Sequence, residues 1–251
     1  MSKDSLLGAR YFFRGLGLIT KPGVRRYVAI PLAINSLLFA SLIAYGWTIL
    51  GQLREATEQW LPAWLDWLSW LLIPLFIISA VLVLVYGFSL LANLIAAPFN
   101  GWLAEAVEHK LTGQTPASMT ANELLRETLR SLYSEIRKLA YFLVRAVLLL
   151  LLFLIPGVNV IAPFLWLLFS AWMLAIEYLD YPMGNHGIKF AAQRQLLSRR
   201  RWLGLSFGAA VMVAMMIPGL NFVAIPTAVA GATAMWSEQL RKKQDLTPGL
   251  H

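Results

Sequence analysis

Two uninterrupted apolar runs organise the first hundred residues. Residues 27–50 hold 24 positions without a charge, and residues 71–97 hold 27. At ~1.5 Å per helical residue each run exceeds the ~30 Å hydrocarbon core of a bilayer, so both are predicted to be long transmembrane helices. Ahead of them, residues 5–20 are amphipathic: Arg10 and Arg14, four apart, share a helical face, with Leu6, Phe13 and Leu16 on another. This predicts an interfacial helix lying on the membrane, broken by Lys21-Pro22-Gly23. Residues 51–70 read as a loop with Glu55, Glu58 and Asp66 against Arg54. Its four tryptophans (Trp60, Trp64, Trp67 and Trp70) suit an aromatic belt at the membrane interface.

The pattern changes in the second half. Residues 101–138 are polar and predict two helices separated by Thr112-Gly113-Gln114-Thr115-Pro116. The second helix has Leu125, Leu129, Leu132, Ile136 and Leu139 on one face. Its other face carries Glu123, Arg126, Glu127, Arg130 and Lys138, with Arg145 further on. Two apolar segments follow, 139–176 and 202–236, joined by a basic stretch from Lys189 to Arg201. Each is interrupted near its middle by almost the same residues: Ile155-Pro156-Gly157-Val158-Asn159 returns 62 positions later as Ile217-Pro218-Gly219-Leu220-Asn221. Proline sets its own φ, glycine accepts positive φ, and Asn caps a following helix. Such a turn between two apolar arms suits the tip of a helical hairpin in lipid. Arms of 16–17 residues are short for a full crossing, and Arg145 lies within the first. The expectation is therefore an all-α integral membrane protein forming a single membrane domain, 1–251. It has two long transmembrane helices, two partially inserted, re-entrant hairpins and the N-terminal interfacial helix.

Composition agrees. Hydrophobic residues make up 59% of the chain, charged residues only 14%, and the mean hydropathy is +0.64; soluble domains carry about 25% charged residues. The absence of cysteine rules out disulfides and thiol chemistry. His109, His186 and His251 read as isolated, so no metal site is expected. There is no Gly-rich nucleotide loop or nucleophile elbow, so neither a cofactor nor enzymatic activity is expected, and no nucleic-acid partner. The first residues lack the short apolar core of a signal peptide.

The net charge of +8 is informative through its placement: of 21 Lys and Arg residues, all but Arg54 fall in the N-terminal region, 110–145, 189–201 or the tail. With two full crossings and two hairpins that return to their side of entry, these regions share one face. The positive-inside rule then makes both termini cytoplasmic.

Three constellations are candidates for chemistry. Pro22-Gly23-Val24-Arg25-Arg26 opens the first long helix, where unpaired amides and the helix dipole favour an anion, and two guanidinium groups suit a tetrahedral oxyanion. On the pattern alone, an Arg pair flanking a transmembrane helix is more often a lipid-headgroup anchor that enforces the positive-inside bias. Glu123, Arg126 and Arg130, three and four apart, form a ladder that is either a solvated helix face or the lining of an anion path. Arg145 either faces protein or water, or snorkels. Glu177 through His186 gathers two carboxylates and a histidine, which read first as a structural turn closing the hairpin.

Several blocks together resemble the bacterial sulfate permease family CysZ: Tyr11-Phe12-Phe13-Arg14-Gly15, Lys21-Pro22-Gly23-Val24-Arg25-Arg26-Tyr27-Val28, Ile30-Pro31 and Ala96-Ala97-Pro98-Phe99-Asn100. Asp180-Tyr181-Pro182, Ile217-Pro218-Gly219-Leu220-Asn221-Phe222 and Val229-Ala230-Gly231-Ala232-Thr233 continue the series. The resemblance implies a multi-pass protein of the bacterial inner membrane supplying sulfate for cysteine biosynthesis, as a channel or a proton-coupled transporter. It implies a sulfate site at a Gly-Leu-Arg element, here Gly23, Val24 and Arg25 with Arg26 following. It also implies a charged inner network on Glu123, Arg126 and Arg130. Homo-oligomers built from antiparallel dimers are implied too, which conflicts with the one-sided charge bias. A non-transporting membrane scaffold whose hairpins act as wedges is the competing reading.

Overall fold

The computed structural model describes residues 4–60, 71, 74, 75, 77–79, 81, 82, 98–113, 121–217 and 219–241, and among them there is helix but no strand. The helices are α1 (Asp4–Ile19), α2 (Arg26–Trp60), α3 (described over 98–112) and α4 (Ala121–Phe153). After a short 3-10 turn at Val158–Val160 come α5 (Ala162–Gly184), α6 (Phe190–Ser198), α7 (Arg201–Met216) and α8 (Asn221–Met235). A single π-helical turn, Trp236–Leu240, extends α8. The second long apolar run, 71–97, falls mostly outside the described residues; those described within it are helical.

Where the sequence reads as a single membrane domain, the chain groups into two units, one of residues 1–28 and 100–251 and one of residues 29–99. In the second unit, α2 continues ten residues past the apolar run, through 51–60, which were expected to be loop. No proline or glycine-rich turn lies between Gln52 and Trp60, so nothing in the sequence stops the helix there. Its stretch Arg26–Ile49 is long and apolar enough to cross a membrane, as is α5.

The first unit is built around two helical hairpins, α4–α5 and α7–α8, whose tips carry the repeated turn. Gly157 and Gly219 adopt nearly the same positive φ, 84° and 85°, a region that L side chains avoid. The expected Asn caps do not form: the N-cap positions are Ile161 for α5 and Leu220 for α8, without a side-chain cap. Asn159 lies within the 3-10 turn, too early to cap α5, and Asn221 is already the first residue of α8. At the first tip, backbone bonds take over, with the amides of Phe164 and Leu165 donating to the Ile161 carbonyl at 3.1 and 3.2 Å.

The polar helix and the first hairpin arm were expected as separate pieces meeting at residue 138; they form one helix of 33 residues. The core lies at the hairpin bases, away from the tips. Leu154 is 76% exposed and Phe222 75%, whereas Ile176, Leu179, Leu203, Phe207, Met235 and Trp236 are buried. Although α5 is long enough to span, Ala171, Ala175, Ile176, Tyr178, Leu179 and Met183 in its second half belong to this core.

The N-terminal helix is more than a surface helix. Gly8, Tyr11, Phe12, Gly15, Leu18 and Ile19, spaced three and four apart, form a stripe buried against α7 and α8. Gly15 permits the contact, since a Cβ there would fall 2.1 Å from the Thr227 carbonyl oxygen. Leu6, Phe13 and Leu16 stay exposed. Apolar residues lie on both sides of α1, and the closest approaches fall at Gly8 and Gly15, so the sequence alone does not mark which side is buried.

Candidate functional site

The turn before α2 is built on backbone bonds. The amides of Val24 and Arg25 both donate to the Lys21 carbonyl at 3.1 Å, and Gly23 takes φ 88° to make the bend. Val24 plugs into the core with 1% exposure, which leaves Gly23, Arg25 and Arg26 at the surface. These two amides are therefore already engaged, and an anion here meets side chains first. The Arg26 guanidinium donates to the Tyr27 hydroxyl at 2.9 Å and sits 4.8 Å from that ring's centroid. Arg25 has no ion-pair partner among the described residues. Of the four predicted residues, the structure thus presents one exposed cation without a carboxylate, one cation steadied by an aromatic ring, a bend and a hydrophobic anchor. Glu123, Arg126 and Arg130 lie in the first turns of α4, in the part whose side chains fall outside the described residues.

Charges that sequence reading treated as solvated or isolated are gathered inside the base. Lys138, expected on a polar outer face, is 8% exposed; its Nζ lies 2.9 Å from Asp180 Oδ2 and 3.0 Å from Glu177 Oε2. The second oxygen of Asp180 accepts from Gln193 Nε2 at 2.6 Å, and the same amide donates to the Ile188 carbonyl at 2.8 Å. Ile136 and Leu139, on the apolar stripe, are instead exposed. In lipid this arrangement is favourable, because apolar side chains lose nothing by facing outward and a charge needs an internal partner. The Glu177–Asp180 segment is thus the acidic half of a helix-to-helix clasp closing the first hairpin.

His186 is not isolated either. The Glu108 carboxylate, on a residue only 1% exposed, contacts His186 Nε2 at 2.8 and 2.9 Å and accepts from Arg241 Nη1 at 2.7 Å. This joins α3, the loop after α5 and the end of α8. Burial, then the Glu108 charge, raises the pKa of neighbouring Glu105. A third cluster ties α1 down: Arg14 Nη1 and the Tyr11 hydroxyl both donate to Glu238 Oε2, at 2.7 and 3.0 Å. Gln239 Nε2 donates to that hydroxyl at 3.0 Å, and Arg200 bridges Gln239 and Asp4. These partners lie 39 to 228 positions apart in the chain, so no local spacing signals them.

Arg145 turns back along its own helix: its Nη1 donates to the Tyr141 carbonyl at 3.5 Å, and its guanidinium lies 3.6 Å from the Tyr141 ring centroid. Among the described residues no group of His, Asp and Glu could hold a metal.

The family model described as "Sulfate transporter CysZ/Etoposide-induced protein 2.4" matches residues 11–226. The chain belongs to that family. It is 45% identical over 245 residues to a Pectobacterium atrosepticum protein named sulfate transporter CysZ, covering 96% of this chain and 88% of that one. It is 45% identical over 240 residues to the Salmonella typhimurium protein of the same name, covering 95% of each. The matched range includes the α2 turn, all of α4 and both hairpin tips, whereas Asp4, Glu238, Gln239 and Arg241 of the clusters above lie outside it.

Proposed function

We propose that this chain carries sulfate across the bacterial inner membrane, with Gly23, Val24, Arg25 and Arg26 as the place of capture. The observation carrying the reading is near-full-length similarity, at 45% identity, to relatives named sulfate transporter CysZ. The capture site is supported by the exposed Arg25 guanidinium beside the ring-steadied Arg26, where the dipole of α2 favours an anion. The role is transport rather than catalysis, and the sulfate delivered feeds cysteine biosynthesis. Two spans and two hairpins entering from the cytoplasmic side make up its membrane part. Glu123, Arg126 and Arg130 line the inner end of the path. Copies of the chain assemble as antiparallel pairs into larger oligomers in contact with lipid.

Proteoliposomes should accumulate labelled sulfate, and Arg25→Ala with Arg26→Ala should lower uptake about tenfold or more, from the loss of charge-assisted bonds. Vesicles carrying the wild-type protein but no leakier to sulfate than empty ones would exclude transport. Uptake accelerated by an imposed inward proton gradient, beyond the effect of membrane potential, identifies proton coupling; indifference identifies a channel. The exposed apolar hairpin tips favour a second reading, a membrane scaffold without a pore. It is the one left standing if vesicles do not take up sulfate but change shape.

A further inference from the structure

Two of the arginines nearest the apolar surface of the first hairpin converge on one aromatic ring. The Arg145 guanidinium carbon lies 3.6 Å from the Tyr141 ring centroid, and that of Arg194, from α6, lies 5.0 Å from the same centroid. Phe190, one turn before Arg194 on α6, packs edge-on to Tyr141 with centroids 5.5 Å apart, so the ring and both cations form one unit across two helices. Among the described residues neither arginine is paired with a carboxylate; the acids of the facing stretch of α5, Glu177 and Asp180, are taken up by Lys138. Cations stacked on a π face are held in place yet keep their outward N–H donors.

The location is as telling as the chemistry. From Leu143 towards the tip, α4 presents Leu143, Val144, Val147, Leu148 and Leu151 exposed. Towards the base begins the clasp of Lys138, Glu177 and Asp180. Arg145 starts in the apolar stretch and turns its guanidinium back one helical turn to the boundary. This is headgroup level for a lipid whose chains lie along the exposed apolar face, and a guanidinium fork matches phosphate oxygens. Basic pockets at the cytoplasmic edge of membrane helices take up anionic headgroups in the same way.

We propose that Arg145 and Arg194, steadied on Tyr141, bind the phosphate of an anionic phospholipid seated against the first hairpin. The proposal rests on that hairpin lying in lipid, not on sulfate being the cargo.

The test is native mass spectrometry of the full chain in detergent, with phosphatidylglycerol or phosphatidylcholine added. The wild type should retain phosphatidylglycerol about tenfold more than phosphatidylcholine. Arg145→Gln with Arg194→Gln should abolish the preference, and Arg145→Lys with Arg194→Lys should keep part of it. Equal retention of the two lipids by the wild type, or an unchanged preference in the glutamine variant, would overturn the proposal. So would loss of the preference in millimolar sulfate but not in chloride of matched ionic strength, which would assign the arginines to the free anion. Should the glutamine variant fail to fold, photoactivatable phosphatidylglycerol on the wild type decides. Crosslinks should map to 139–148 and 190–197, and their absence from both segments counts against the site. Sulfate uptake is not read in any arm, so its failure leaves this result standing.

Discussion

At the scale of single residues, the base of the first unit inverts the usual rule for polar groups. Lys138 and Glu108 are buried, while Ile136, Leu139 and Phe13 face outward. Each buried charge has a charged or histidine partner within 3.0 Å, which offsets its desolvation. Glu105, only half-buried, is a different case. Its pKa is raised by burial first and by the Glu108 charge second. A carboxyl whose folded pKa exceeds its unfolded value binds more protons when folded, so stability falls as pH rises through the window between the two and stays lowered above it. Glu105→Gln removes that loss. Its melting temperature in detergent should exceed that of the wild type at pH 8, with the difference shrinking as pH falls towards the ordinary carboxylate range. A variant that melts below the wild type at pH 8 would show that Glu105 makes a favourable contact instead.

At the scale of elements, the arms of the second hairpin are short, and the second arm of the first is partly taken up by the core. The 16-residue α7 and 15-residue α8 reach roughly 24 Å at ~1.5 Å per residue, against a hydrocarbon core of ~30 Å. In the first hairpin the second half of α5 is occupied by the core, so less of it is free to enter lipid than its 23 residues suggest. Both tips should therefore stop inside the bilayer. Because the chain has no cysteine, Leu154→Cys and Phe222→Cys each introduce a unique probe at an exposed tip position. An impermeant maleimide should label neither from either side of sealed membranes, and both after detergent. Labelling from the periplasmic side would mean that the arms cross completely. The repeated turn itself was legible, since Pro-Gly is local chemistry, and both glycines take the same φ. The packing of α1 between α7 and α8 was not, because apolar residues lie on both sides of that helix and its closest approaches are at Gly8 and Gly15, which depend on the partner helix.

At the scale of the whole molecule, charge placement makes the strongest statement. Twenty of 21 basic residues lie outside the acidic segment 51–70, which argues for one orientation with both termini cytoplasmic. Antiparallel assembly requires two. Ser5→Cys in otherwise unaltered cells tests this: the maleimide should fail to label it in intact spheroplasts and label it fully once they are lysed. Labelling of about half the molecules from outside would establish dual orientation and override the charge rule.

By itself the sequence determined that the chain is helical, rich in membrane-length apolar segments, folded back twice at Pro-Gly turns, and basic almost everywhere except around residues 51–70. These are properties of runs and local turns, readable because hydropathy and φ preference act on neighbours. Only the tertiary structure decided which charges are interior. Lys138 finds Asp180, Glu108 finds His186 and Arg241, and Tyr141 gathers Arg145 and Arg194. A charge on a helix facing lipid looks in sequence like a charge facing water. What separates them is a partner on another helix, and that partner is chosen by packing.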